Sequence, residues 1–230
     1  MAMKTKILRP LAAALTLALS AGLAAGAAPT SSPAPAVTPG DARTILARIQ
    51  ERNPNLETFQ ARVHVDIRML TFPWLSPKLD GTSYYRRPDN YEVVFDRVPS
   101  YAKGFDKLFG DIGDPAAWQK DSNVAYDGVQ TVDGKPYFTL RMTKKIRSDQ
   151  IKDTVAYVDP STYQIARMEW HYTNGGSIVM TQTYKQEGGY EVIAGQHADI
   201  RIPRVHAVAN ATYGAYQTNV AVNDAVFTKK

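Results

Sequence analysis

The sequence predicts an α+β domain that is mainly antiparallel β-sheet and curls toward a barrel. Apolar and polar residues alternate strictly from Phe59 to Met69, a period of two that is typical of a long strand with one buried face. Further β-rich segments follow at regular spacing, separated by turn signals such as Asp133-Gly134 and Asn174-Gly175. Such a series without intervening helices favours one antiparallel sheet.

Residues 1–27 have the three parts of a secretory signal peptide. The first residues are basic, the run 11–23 is apolar, and Ala25-Gly26-Ala27 offers a small-residue cleavage site. The apolar run is short for a transmembrane helix. We therefore expect export to the periplasm.

Composition narrows the class of protein further. Removing the signal peptide lowers the net charge from +5 to +2, because residues 1–27 hold three Lys or Arg and no acid. That balance does not call for nucleic acid as a partner. The chain has no cysteine, so we expect neither a disulfide nor a lipid attached at a cleavage-site cysteine. These features predict a soluble, non-lipidated periplasmic monomer.

Residues 28–40 are rich in Pro, Ala, Ser and Thr and predict a flexible linker, whereas 41–230 predict a single domain. An amphipathic helix opens that domain, with Thr38 as its expected N-cap and Pro39 in its first position. Asn53-Pro54 ends it. Its apolar stripe predicts packing against an apolar surface and consists of Ala42, Ile45, Leu46 and Ile49.

The segment 81–95 predicts a hairpin that turns at Pro88-Asp89-Asn90. Arg86 and Arg87 end its aromatic first strand directly before the proline, an unusual position for two charges. An arginine there is often a solvated residue that protects a sheet edge. It can also donate to carbonyl or phosphate oxygens through its forked guanidinium.

The alternation stops between Pro99 and Lys120, where we expect a helical insertion between strands. Its apolar residues have helical spacing, and glycines and a proline interrupt it in the manner of a movable flap. The apolar residues are Phe105, Leu108, Phe109 and Ile112, with Trp118 after the break. Strands are then predicted at 124–126, 137–142, 154–158, 163–172, 177–184, 190–193, 198–202, 205–216 and 218–227.

Four short motifs follow one another along the chain. They are Leu56–Ala61, the Arg87-Pro88 corner, Tyr157–Pro160 followed by Ile165–Arg167, and Asn219–Phe227. In this order after a signal peptide they resemble LolA and LolB, the periplasmic lipoprotein carriers and receptors, and the wider class of outer-membrane lipoprotein-sorting proteins. The resemblance covers nearly the whole mature chain, from 41 to 227.

The resemblance implies a strongly curved, unclosed half-barrel, covered by a helical lid and enclosing a cavity for acyl chains. It also implies that Arg87, rather than Arg86, contacts the lid and helps to keep the empty cavity shut. The insertion 99–120 is longer than in the carriers, and the Pro-rich leader is not typical of them. The resemblance therefore leaves three classes of cargo possible: a lipoprotein, a free lipid or another amphiphile.

The candidate ligand-binding residues lie on the apolar face of the predicted sheet, at the Arg-Pro corner and on the insertion. They are Arg87, Val63, Val65, Ile67, Tyr85, Tyr91, Phe105, Leu108, Phe109 and Trp118. Such side chains suit acyl chains, since each buried methylene contributes about 0.8 kcal/mol. Simple core packing is the alternative, and for Val63, Val65 and Ile67 it is the commoner case.

The sequence does not indicate an enzyme. Its four histidines lie on different predicted strands without metal-ligand spacing. Neither a Gly-x-Ser-x-Gly elbow nor a phosphate-binding loop occurs. We therefore predict no catalytic residue, metal or cofactor. A β-rich hydrolase would need a convergent acid or histidine pair in the pocket.

We expect a periplasmic carrier that binds acyl chains of lipoproteins or lipids and moves them toward the outer membrane. Its partners would be that cargo and a membrane-bound loading or receptor protein. The alternative is a sensor of the same fold that binds a membrane partner protein, because a fold alone does not settle function.

Overall fold

One antiparallel sheet of ten strands, with three short helices, makes up the part of the chain that the computed structural model describes, residues 41–100, 115–146 and 150–228. These residues all fall within one compact unit, Val37–Lys230. The predicted signal peptide and linker lie outside the described residues. So does most of the predicted insertion, including Phe105, Leu108 and Phe109.

The helices are α1 (Ala42–Gln50), α2 (Pro115–Asp121) and α3 (Ala225–Thr228). The strands are β1 (Thr58–Met69), β2 (Lys78–Arg86), β3 (Asn90–Phe95), β4 (Ser122–Val132), β5 (Lys135–Lys144), β6 (Ile151–Val158), β7 (Ile165–Tyr172), β8 (Ser177–Glu187), β9 (Tyr190–Ile202) and β10 (Val205–Thr218). Among the described residues, no helix is long and apolar enough to cross a membrane.

The strand order is β3-β2-β1-β10-β9-β8-β7-β6-β5-β4, so the first and last long strands pair in the middle of the sheet. Within the described residues, the edge strands β3 and β4 do not pair with each other, and the sheet remains open. The predicted mainly antiparallel, unclosed architecture is thus confirmed. The helical lid stays a prediction, because residues 101–114 are not described.

Strand β1 shows why the alternating sequence forms this sheet. Val63, Val65 and Ile67 are almost fully buried, whereas Arg62 and His64 face the other side, where His64 Nδ1 lies 2.8 Å from Asp80 Oδ1. The buried face belongs to a core that also receives Ile45, Leu46 and Ile49 of α1. The predicted amphipathic helix therefore packs against one face of the sheet.

Two predictions about where helices and strands begin or end are wrong. Helix α1 is capped by Asp41, whose Oδ1 accepts from the Thr44 N–H at 3.1 Å, and not by Thr38. The last predicted strand, 218–227, is not a strand beyond Thr218. Asn219 has φ of +53°, and its side-chain oxygen accepts from the Glu57 N–H at 2.9 Å, which turns the chain toward the short helix α3.

Gly81 lies where β2 approaches β3 too closely for a side chain. A Cβ added there would stand 2.6 Å from the Val94 carbonyl oxygen and 3.0 Å from Phe95 Cα. Because both atoms are backbone, Gly81→Ala should displace β3 and lower the free energy of unfolding by about 1–3 kcal/mol. Chemical denaturation measures this change.

Gly214 in β10 is the matched control, because a Cβ there meets no atom within 4 Å. Gly214→Ala should be neutral or slightly stabilising. Equal unfolding free energies for the two variants would contradict the close approach of β2 and β3.

Candidate functional site

A cavity of about 310 Å³ lies between the end of α1, the segment 52–56 that follows it, and the strands nearby. This volume is at the lower end of the range for small-molecule sites. The apolar lining comes from Ile49, Leu56, Phe59, Tyr85, Pro88, Tyr91, Pro115, Ile165, Val192 and Ile193. The polar lining comes from Gln50, Arg52, Asn53, Arg87, Tyr184 and Glu191. The site is thus a mainly apolar space with a few polar groups in its lining.

Arg87 ties the β2–β3 corner to the segment after α1. Its Nη2 donates to the Asn53 carbonyl oxygen at 2.6 Å, and its Nε donates to that of Leu56 at 3.2 Å. The backbone N–H of Arg87 also donates to the Glu57 carbonyl at 2.8 Å. These charge-assisted bonds fix one wall of the cavity.

An ion pair forms a second anchor for the segment after α1. Arg52 Nε donates to Glu191 Oε2 at 3.0 Å, and Arg52 Nη2 and Gln164 Nε2 also donate to the Glu191 carboxylate. Both side chains of the pair are mostly buried, at 13% and 24% exposed. Asn53 exchanges two hydrogen bonds with the backbone of Glu191, of 2.8 and 3.1 Å. The loop after α1 is therefore held to the start of β9.

Two tyrosines of the cavity lining, Tyr184 and Tyr91, stay neutral. Burial raises the pKa of Tyr184, although the Arg52 guanidinium lies 4.6 Å from its ring centre and acts in the opposite direction. Burial also raises the pKa of Tyr91 to about 12. The Tyr91 hydroxyl is enclosed and makes no hydrogen bond of acceptable geometry among the described residues. Neither group supplies a negative charge near neutral pH.

Phe59 is the centre of an aromatic group at the cavity. Its ring stacks on Tyr85 with centroids 5.3 Å apart and meets the edges of Tyr216 at 5.3 Å and Tyr91 at 6.3 Å. Such ring pairs contribute beyond their buried area and restrict each other's rotation. This wall is consequently apolar and stiff.

The predicted site residues separate into three groups. Arg87, Tyr85 and Tyr91 line the cavity together. The others that the structure describes belong to the core and do not line this cavity, namely Val63, Val65, Ile67 and Trp118. The third group, Phe105, Leu108 and Phe109, lies outside the described residues.

Sequence reasoning missed Arg52, Asn53, Tyr184, Glu191 and Ile193. Arg52 and Asn53 signalled only the end of a helix, and Glu191 looked like an ordinary polar residue in a strand. The contact between Arg52 and Glu191 spans 139 residues, and neither residue carries a local signal for the other.

Groups that could perform hydrolysis do not converge in the cavity. Of the lining residues, Glu191 is the one carboxylate, and none is a histidine. The Asp153–His171 contact of 2.6 Å lies on the opposite face of the sheet from the buried Met168 and Trp170. The described residues contain no group of three or more His, Cys, Asp or Glu placed to hold a metal ion.

The solved structures that resemble this chain include the following three. A DUF1329 family protein from Desulfovibrio piger is 12% identical, with a TM-score of 0.62 over 80% of this chain and 95% of its own. A LolA superfamily protein from Nitrosomonas europaea is 14% identical, with a TM-score of 0.61 over 83% and 99%. A domain named for outer membrane lipoprotein sorting, from Vibrio parahaemolyticus, is 12% identical, with a TM-score of 0.56 over 80% and 96%.

No family model matches the sequence, and no curated protein matches it. At 12–14% identity the structural neighbours show a shared fold rather than a shared activity. They agree with the open ten-stranded sheet and with the resemblance that the sequence motifs indicated. The chain therefore has a LolA-like fold.

Proposed function

We propose that this protein is a periplasmic, non-enzymatic carrier that binds an acyl chain of a lipoprotein or lipid in the cavity beside α1. The observation that carries the proposal is the cavity itself, whose lining is mostly apolar and includes the charged side chains of Arg52, Arg87 and Glu191. An acyl chain gains about 0.8 kcal/mol for each methylene that leaves water. The guanidinium groups in the lining suit the head of an amphiphile, because their forked donors match carboxylate and phosphate oxygens.

In this proposal, Arg87 holds the cavity wall in place. Its guanidinium satisfies two carbonyl groups of the segment 53–56, and losing both bonds would loosen the wall and leave those oxygens unpaired. A wall that is fixed before the ligand arrives lowers the entropic cost of binding. Transport toward the outer membrane and loading by a membrane-bound protein are further parts of this proposal.

Arg87→Leu is expected to weaken binding of a fluorescent fatty acid about tenfold, because charge-assisted hydrogen bonds contribute about 1.5–3 kcal/mol. Arg86→Leu is the matched control. Arg86 pairs with Asp224 and lies 4.8 Å from the Phe227 ring centre, away from the cavity lining. Its replacement should change the dissociation constant less than about twofold.

Mass spectrometry of protein purified from its own periplasm provides the second half of the test. We expect a co-purified lipid that organic extraction removes. Protein without any lipid, combined with unchanged affinity in Arg87→Leu, would refute the carrier proposal. Tighter binding in Arg87→Leu would instead show that Arg87 keeps the empty cavity shut.

A further inference from the structure

The loop 70–77, which joins β1 to β2, presents apolar side chains to solvent. Trp74 is 77% exposed, Leu70 39% and Phe72 36%. The rings of Phe72 and Trp74 meet edge to face with centroids 5.9 Å apart. Exposing aromatic side chains of this size to water is unfavourable, and a group of them on the surface marks a contact surface.

This aromatic loop is firmly attached to the sheet. The N–H groups of Leu70 and Thr71 donate to the His206 carbonyl at 2.8 and 3.2 Å, and the His206 N–H donates back to Thr71 Oγ1 at 2.8 Å. Leu75 packs against the core, and Ser76 Oγ donates to the Pro73 carbonyl at 2.9 Å. Trp74 is therefore displayed on a fixed support, which keeps the entropic cost of binding low.

Two exposed arginines lie next to this loop at the same end of the sheet. The β9–β10 turn lies beside the aromatic loop and carries Arg204, and Arg68 lies on β1 just before the loop. Both arginines are exposed, and neither forms an ion pair with a described residue. Farther along the sheet, with five strands between it and β1, β5 also ends on this side because the strands alternate in direction. Its last residue is Lys144, and the 88% exposed Ile146 follows.

We infer that this end of the sheet is a docking surface for an anionic lipid bilayer. Tryptophan and its neighbouring apolar residues enter the boundary between headgroups and acyl chains, where amphipathic rings are most stable. Arg68 and Arg204 face the phosphates, since basic residues are attracted to anionic membrane surfaces. The cavity lies at the opposite end of the strands, so this surface is independent of the proposed cargo site.

Charge favours a bilayer over a second copy of the chain. A two-fold dimer through this end would bring each unpaired arginine close to the same group of cations on the partner, which repel one another. An anionic membrane instead supplies the opposite charge over a broad area. The combination of a fixed aromatic tip with unpaired cations is the chemistry of an interfacial anchor.

Tryptophan fluorescence reports this contact directly. The chain has three tryptophans, and Trp118 and Trp170 are each 8% exposed, so a change on adding vesicles reports Trp74. We expect a blue shift with vesicles of phosphatidylcholine and phosphatidylglycerol, and quenching when the acyl chains carry bromine. Vesicles of phosphatidylcholine alone should bind more weakly, by about fivefold for each arginine that engages.

Variants separate the apolar and the basic contributions in vesicle co-sedimentation. Trp74→Ser should lower the partition coefficient at least about tenfold. Arg204→Asn, whose asparagine tolerates the φ of +67° at this position, should lower it about fivefold for anionic vesicles only. Val129→Ser is the matched control, because Val129 is 54% exposed near the other end of β4.

Circular dichroism and thermal unfolding should be unchanged in all three variants, because each replaced side chain is exposed. Three results would overturn the inference. They are absence of binding to anionic vesicles, equal binding to neutral ones, and equal binding by Trp74→Ser and wild-type protein. Concentration-dependent dimerisation through this end without vesicle binding would overturn it as well.

Discussion

Replacing Ile193 by tryptophan should weaken fatty-acid binding about 50-fold. Ile193 lines the cavity from β9, and a larger ring there would occupy space that the ligand needs. Loss of room for about three methylene groups corresponds to about 2.4 kcal/mol of binding free energy. Titration with a fluorescent fatty acid measures the change.

Ile202→Trp is the matched control for this cavity-filling variant. Ile202 lies at the other end of the same strand and does not line the cavity. It should bind the fatty acid as wild-type protein does. The Ile193→Trp variant should keep its unfolding free energy within about 1 kcal/mol, because the indole enters an existing space. Normal binding by a folded Ile193→Trp variant would place the ligand elsewhere.

Glu191→Gln should lower the free energy of unfolding by about 2 kcal/mol. The carboxylate accepts from both Arg52 and Gln164, and its loss leaves the mostly buried Arg52 guanidinium without its counter-charge. Breaking one member of a fully buried pair costs about 3–5 kcal/mol, and the partial exposure here reduces that cost. Urea denaturation measures the change.

The surface pair of Arg48 and Glu51 provides the comparison. Its atoms are 3.4 Å apart, but its side chains are 59% and 63% exposed, so Glu51→Gln should cost less than about 0.5 kcal/mol. A double-mutant cycle with Arg52→Met should show coupling between Arg52 and Glu191 of at least about 1 kcal/mol. Additive effects in that cycle would contradict the anchor between the segment after α1 and β9.

The sheet could be predicted from sequence because its signals are local. The alternation in β1 and the turn at Asn174-Gly175 each depend on a few consecutive residues and on elementary backbone geometry. The ends of helices and strands were harder to predict. Asp41 and Asn219 decide where α1 starts and β10 stops through a few side-chain hydrogen bonds each. Other residues nearby, such as Thr38, have side chains of the same capping type, so the sequence does not single out the right one.

The cavity lining was predicted in part, for a physical reason. Tyr85, Arg87 and Tyr91 come from one hairpin, so a single motif placed all three at the cavity. Val63, Val65 and Ile67 are apolar like the lining residues, but they fill the core. Whether an apolar residue lines a cavity or fills the core depends on how α1 packs against the curved sheet, and the local sequence does not show this. The pairing of Arg52 with Glu191 depends on the same packing.

The central claim is that the cavity beside α1 binds an acyl chain. Crystals grown with a fatty acid brominated at its terminal carbon would test it most directly, through anomalous scattering from bromine. We predict one strong peak inside the cavity, in contact with Phe59, Ile165 and Ile193. A peak on the opposite face of the sheet, or between core residues such as Val65 and Ile67, would contradict the claim.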